Sequence, residues 1–462
     1  MARHTSRIGR KFLTLSFACA ALLAFMFGPM LLRAADVKQQ PSKPLIDTHY
    51  KFEGATGCNA AKCHGSPAAN PAPKPAGNEF TTWSENDNHT KRAYKALESD
   101  DGKKILGAMK EPGTPQESPL CTNCHALVVP AGQQMSKYNV REGVTCGACH
   151  GPYEKWEKPH NQPGGADGMR KQCGYKELDA LNMPYSTSSP EHQKLLKDFG
   201  LFDTRPILAR AEKCMSCHLA IDAKMVAAGH PTPLFELAAY SDGEPPHWRE
   251  PQGYWATKVW AAGQVICLRD AMTQLADRAT ANPPTDPALL KDAYSQAMGH
   301  LLLLKHLAGG AAATQLEAVS KELQAADAAN DKVKLAAAAK TGSDVAGKMM
   351  NGVATLKPDA PTTAALIGLI AKDSSIATVS GMRGAQQQAY ALNALRTSFL
   401  RGAGQKTDGD ALLSAVDKLL GVATAPTFDP TQFSAGLTAL AGKLTATLPA
   451  GTGAVPAPVD IK

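Results

Sequence analysis

Eight cysteines fall in four short clusters, and a histidine closes each one. Cys121-Thr-Asn-Cys124-His125, Cys146-Gly-Ala-Cys149-His150 and Cys214-Met-Ser-Cys217-His218 share the spacing CxxCH. Cys58-Asn-Ala-Ala-Lys-Cys63-His64 is the same arrangement with four residues between the sulfurs. Two cysteines three apart lie on one turn of backbone and present both sulfurs to one face. There they can form thioethers with the two vinyl groups of a haem, and the next residue brings an imidazole under the iron as proximal ligand. Structural zinc uses CxxC pairs but does not require a histidine after every pair. A thioredoxin-like pair needs one motif on a βα unit, and disulfides leave the histidines unexplained. The spacing therefore predicts four covalently bound haems c. They are attached through Cys58, Cys63, Cys121, Cys124, Cys146, Cys149, Cys214 and Cys217, with His64, His125, His150 and His218 as proximal metal ligands. No residue is assigned a catalytic role.

Four irons need partners on their sixth position, and two axial histidines make a low-spin haem suited to electron transfer. His89, His160 and His230 each lie within the cysteine-bearing region and near a motif, and are the predicted distal ligands. His49, His192 and His247 are further candidates. His300 and His306 lie six apart on an apolar stretch far from any motif and read as packing or surface residues. Trp83, Trp156, Trp248, Trp255 and Trp260 fall in or beside the same region, where porphyrin faces and ordinary core packing are both open to them. Cys173 and Cys267 lie outside the motifs, and a disulfide between them is one reading.

The elements that must hold these groups follow from composition. The chain has 462 residues, 44% hydrophobic and 20% charged, with no cysteine after Cys267, no histidine after His306 and no tryptophan after Trp260. That excludes a coiled coil, a collagen and a wholly disordered chain. The net charge of +7 is concentrated at the start, where Arg3, Arg7, Arg10, Lys11 and Arg33 precede the first acid, Asp36. The remainder is near neutral, which argues against a nucleic-acid partner held by phosphate contacts. Residues 12–32 are apolar behind a basic flank, so residues 1–35 read as a signal peptide or an uncleaved N-terminal anchor. Either one places the body in the periplasm, soluble or held to the membrane by that segment. Cys19 reads as a small apolar residue of the signal.

Residues 36–54 read as a linker and 55–253 as the tetrahaem domain, rich in Gly, Pro and turn residues. Only short helical stretches are expected there, one of them from Glu85 to Ser99. So little regular structure leaves a protein core of ordinary density hard to build, and haems would supply the missing apolar surface. From 254 to 448 the periodicity becomes helical. Val265, Leu268, Met272 and Leu275 form one stripe. Met382, Ala385, Ala389, Leu392, Leu395 and Phe399 form another, and Phe433, Leu437, Leu440, Leu444 and Leu448 a third. Asp429-Pro430 opens the last of these helices as N-cap and first residue. The expected fold class is mainly α: a multihaem cytochrome c domain of short helices and loops packed around four haems, then an Ala-rich helical bundle and a disordered tail over 449–462.

Residues 55–240 resemble the multihaem cytochromes c of the cytochrome c-554 type. The likeness rests on the order of the four motifs and on Trp83 with His89 after the first. It rests also on VTCGACHGP (144–152) with His160 downstream, and on CMSCH followed by a GHP histidine, His230. The resemblance implies a periplasmic tetrahaem electron carrier whose axial pairs join distant parts of the chain. By that likeness His160 caps the haem of His64, His89 that of His150, and His230 serves that of His218. The haem of His125 is left without an obvious partner, and members of the family can leave one haem open. The CX4CH first motif departs from the family pattern, and the helical tail has no counterpart in it.

Two functions follow. The first is an electron carrier between redox protein partners, with no turnover of its own. The second is an oxidoreductase acting on a small nitrogen or oxygen species at one open haem. Whether the protein is an enzyme turns on the site of His125.

Overall fold

Aspartates placed one or two residues before a proline punctuate the second half of the chain. In the computed structural model, which describes residues 49–72, 74–176, 184–219, 221–245, 250–408, 411–447, 455–456 and 458–461, each of three such aspartates caps a helix. Asp286 accepts from Ala288 N–H at 2.8 Å, and Asp359 from Thr362 N–H at 2.8 Å. Asp429 accepts from Thr431 N–H at 2.9 Å and Gln432 N–H at 3.1 Å, as its sequence predicts. These bonds satisfy first-turn donors that have no intrahelical partner. The expectations for residues 1–35, for most of the linker, and for His247, Trp248 and Leu448 lie outside the described residues.

Residues 44–462 form one unit. The cysteine-bearing part contains short helices, among them α1 (Glu79–Asn86), α2 (Pro119–His125), α3 (Cys146–His150), α4 (Gly165–Gln172), α5 (Pro190–Phe199) and α6 (Ile207–His218). The remainder is a stack of longer ones: α7 (Trp255–Thr280), α8 (Pro287–Lys305), α9 (Gly310–Ala328), α10 (Lys332–Ala354), α11 (Ala360–Lys372), α12 (Ser375–Gly402), α13 (Ala411–Ala423) and α14 (Pro430–Thr447). The fold is mainly α. Among the described residues the only β pairings are two isolated bridges, Phe52 with Gln134 and Ala308 with Val459. None of the described helices is long and apolar enough to cross a membrane.

The stripes read from the sequence face the core. Val265, Leu268, Met272 and Leu275 are buried on α7, and Phe433, Leu437, Leu440 and Leu444 on α14. Each such side chain contributes about 1.5–3 kcal/mol by leaving water. Met382 departs from its expected stripe and is 40% exposed. Gly381 has φ +59°, a conformation that interrupts α12 and leaves Met382 as the first residue after the break.

Other expectations are corrected. The helix foreseen over 85–99 is three pieces: Asp87 adopts an extended ψ of 133° and caps the next turn, and Arg92, at φ −122°, ends that turn before Ala93–Glu98. The end of the linker is not loose: Phe52 is buried, its N–H donates to Gln133 O at 2.7 Å, and its carbonyl accepts from Met135 N–H at 2.9 Å. The coda is ordered at residues 458–461. Val459 is buried and exchanges backbone bonds with Leu307 and Gly309, and Asp460 accepts from Ala312 N–H at 2.8 Å. Cys173 and Cys267 are both free and buried. Cys173 sits in a small cluster with Met169, Tyr175 and Leu195, whereas Cys267 lies on α7 with its thiol 3.6 Å from Met215 Sδ, so no disulfide joins them.

The core is unevenly distributed. A large apolar cluster runs from Ile207 to Val459, and the small one spans Met169 to Leu201. Neither contains a buried residue from 49–164, the stretch holding three of the four motifs. Trp255 and Trp260 are buried in the large cluster and read as core packing. Helix α6 spans both regions: Ile207, Leu208, Ala211 and Met215 enter the large cluster, and its last turn carries Cys214, Cys217 and His218.

His300 on α8 is fully buried, and its Nδ1 bonds to Gln264 Oε1 of α7 at 2.9 Å. Burial pushes its pKa down to about 3. The unfolded chain, with an ordinary histidine near 6.5, therefore takes up a proton first as the pH falls. Stability is at its full value above that point and is lost progressively toward pH 3, by about 2 kcal/mol at pH 5 from this group alone. Urea unfolding at pH 7 and pH 5 checks this. His300→Gln keeps a donor for Gln264 and is expected to lose that increment of acid sensitivity.

Candidate functional site

The first motif lies on a 3-10 turn, Ala55–Cys58, and the loop after it. Its histidine is tied to α1. His64 Nδ1 donates to Glu79 Oε2 at 2.9 Å, and the buried Glu79 also accepts from Gly77 N–H at 3.0 Å. The second and third motifs form helices that end at their own histidines, α2 at His125 and α3 at His150. Gly151 follows α3 with φ +81°, and a Cβ there would stand 2.2 Å from Gly200 O, so only glycine lets the two backbones meet. That approach is fixed by Phe202 N–H donating to His150 O at 2.9 Å.

Four motifs spread over about 160 positions converge. The Cys58 thiol lies within interaction range of that of Cys146, and the Cys124 thiol within range of that of Cys217, which also donates to Asn123 O at 3.8 Å. Cys149 lies near Cys214 and Cys217. The first motif thus adjoins the third, the third the fourth, and the fourth the second.

The histidines come together in pairs, one from a motif and one from elsewhere. The ring centroids of His64 and His160 are 5.9 Å apart and nearly parallel, with an interplanar angle of 19°. His89 and His218 are 6.0 Å apart, and His125 and His230 6.1 Å apart. An iron held by an imidazole nitrogen on each side, at about 2 Å, separates the two ring centroids by roughly 6 Å. All three spacings are of the size a metal between two imidazoles needs, and each pair includes one of the predicted distal histidines.

Tautomers support the same fit. His125 Nδ1 donates to Ala93 O at 3.0 Å, and His230 Nδ1 to Pro231 O at 2.8 Å. A neutral imidazole whose Nδ1 carries the proton offers the Nε2 lone pair to a metal. Burial holds His125 and His160 below the ordinary histidine range. It pushes His218, with His89 and His125 nearby, down to about 4. For His89 burial also opposes protonation, but Asp87 and Glu244 overcome it and raise the group to about 11. Their oxygens lie 3.1 Å and 3.2 Å from His89 Nδ1.

The pairing departs from the implied one at two places. His160 does face His64. His89 was expected to serve His150, yet its ring faces His218, and His230 faces His125 rather than His218. The backbone explains the first difference. Val144 N–H donates to His89 O at 3.1 Å, and Trp83 Nε1 donates to Val144 O at 3.1 Å, so Trp83 and His89 do grip the entrance to the third motif. The His89 ring leaves that grip toward the end of α6. His192 is buried against Phe202, with centroids 4.6 Å apart, and His49 is exposed; neither is stacked on another imidazole.

Sequence reading missed the acceptors behind the ligands. Glu79, Asp87 and Glu244 hold ring nitrogens of predicted ligands, and Ala93 and Pro231 do so through their carbonyls. Only Asp87 carried a local signal, an acid two residues before a candidate histidine.

Residues 57–151 match the family described as cytochrome c554 and c-prime. Over that segment, which holds the first three motifs, the chain resembles c-type cytochromes of the c554 family. The match supports covalently bound haem c and electron transfer as the class of work. No curated protein and no solved structure matches the chain.

Proposed function

We propose that this protein is a tetrahaem c-type cytochrome that carries electrons between redox protein partners in the periplasm, without turnover of its own. The observation that carries the reading is the set of three imidazole pairs, each joining a motif histidine to a distal one at a spacing that fits an iron. When bound, haem supplies a one-electron iron couple whose potential the protein tunes through axial ligands, burial and hydrogen bonds. The residues do the rest. The eight motif cysteines anchor the groups. His64 with His160, His218 with His89 and His125 with His230 fill both axial positions and keep small molecules out. The thiol contacts support a path running from the site of His64 through those of His150 and His218 to that of His125.

The second reading, an enzyme acting at an open haem, was centred on His125. His230 stands opposite that ring, which favours the carrier. The test is direct. Protein from a host competent to mature c-type cytochromes is expected to weigh more than its polypeptide by four haems, and its ferric magnetic resonance spectrum to show low-spin iron alone. Fewer additions would reject the tetrahaem reading. A high-spin signal that binds nitrite or hydroxylamine would replace the carrier with the enzyme.

A further inference from the structure

Resting on the reading of His64, His89, His125 and His230 as axial ligands, we infer that Glu79, Asp87 and Glu244 are positioning residues that set the order in which three of the sites take electrons, leaving the site of His125 and His230 the first of the three to be reduced. The three sites are backed differently. His64 donates to a buried carboxylate, Glu79, whose other oxygen is held by Gly77 N–H. His89 faces two carboxylates, and Asp87 is itself buried and aimed by accepting from His89 N–H at 2.8 Å. Both rings of the third pair, His125 and His230, donate to neutral backbone carbonyls.

A carboxylate behind an axial imidazole draws its Nδ1 proton outward, which makes the ring a stronger donor to the metal. Its charge adds in the same direction, because an anion near the iron favours the ferric over the ferrous state, and more strongly in a partly buried setting than in water. A backbone carbonyl orients the ring equally well but carries no net charge. The sites of His64 and of His218 with His89 are therefore held oxidised relative to that of His125 with His230. An electron shared among these three sites comes to rest at the His125 end, next to α2 and the loop that follows it.

Spectropotentiometric titration of the full-length holoprotein tests this, with haem count and low-spin signals recorded on each variant. Asp87→Asn with Glu244→Gln keeps the shape of the cluster and the N–H acceptor at Asp87 but removes both charges. It is expected to raise one midpoint by a shift that changes the ferrous-to-ferric ratio about tenfold at fixed poise, ~59 mV for a one-electron couple. Glu79→Gln is expected to do the same to a second midpoint. A midpoint higher than those two in the parent protein should stay in place in both. If Glu79→Gln fails to fold, the Asp87 and Glu244 double variant decides alone. Unmoved midpoints in a variant that retains four low-spin haems would overturn the inference while leaving the cytochrome reading intact. A parent protein lacking those haems would instead remove the reading beneath it. Asp87, His89 and Glu244 also offer ligand atoms within 4.8 Å of one another, so zinc alone is a control. Zinc bound stoichiometrically to the holoprotein and lost in the double variant would assign the cluster to a bare cation and overturn the inference.

Discussion

His230→Ala is expected to turn one low-spin ferric signal into a high-spin one and to open that haem to carbon monoxide or cyanide, with the other signals unchanged. His230 is half a loop away from its anchor: its N–H donates to Met225 O at 2.9 Å, its Nδ1 donates to Pro231 O, and the ring stands 6.1 Å from His125. It belongs to neither apolar cluster, so removing it leaves the packed core in place. The effect should therefore fall on the iron and not on the fold. A thermal midpoint within a few degrees of the parent, together with new binding of the exogenous ligand, is the expected pair of results. A variant whose spectrum stays wholly low-spin would detach His230 from the iron.

Arg170→Met is expected to cost about 3–5 kcal/mol of stability, the usual penalty for leaving one member of a buried ion pair without the other. Arg170 on α4 donates through Nε to Asp203 Oδ2 at 2.7 Å and through Nη2 to Asp203 Oδ1 at 2.8 Å. Its Nη1 reaches Asp167 at 2.6 Å, which Arg205 shares at 2.8 Å. Arg170 and Asp203 are both buried. Burial alone would push Asp203 upward, and Arg170 outweighs it, holding the carboxyl below its ordinary range. The variant strands that carboxylate in a dry setting. Asp203→Leu combined with Arg170→Met removes both charges and is expected to recover most of the loss. Denaturant midpoints of the two variants at pH 7 measure the difference, and equal destabilisation of both would show that the pair acts through shape and not charge. The consequence reaches the site, because Phe202 N–H holds His150 O and residues 203–206 lead into α6 with the fourth motif.

What the sequence could reveal follows the distance over which each feature is encoded. A cysteine–histidine motif is complete within five to seven residues, so each of the four can be read locally. The same holds for the Asp429 cap and for the Phe433 to Leu444 stripe, which are set by helical geometry within a few turns. Met382 is exposed at the start of the helical run after the Gly381 break, while the rest of its stripe, Ala385 to Phe399, stays in the core. The axial pairs lie at the other extreme. Whether His89 meets His150 or His218 depends on where a ring points after its backbone has already docked beside the third motif. No local pattern carries that information. The acceptors were hidden for the same reason: Glu244 lies far along the chain from His89, and a backbone carbonyl such as Ala93 O has no side-chain signature at all.

Helix α6 also bears on how the molecule is made. Its last turn presents Cys214, Cys217 and His218, while Ile207, Leu208, Ala211 and Met215 are walled in by α7 and its neighbours. A ribosome finishes all eight anchoring sulfurs before it reaches residue 255, so for that interval the fourth motif hangs on a helix with no wall behind it. On the proposed reading, a haem joined to that motif before the long helices pack behind α6 meets a helix that is still free to adjust. The half of the chain that carries no cysteine after Cys267 thus acts as a seal fitted after the wiring.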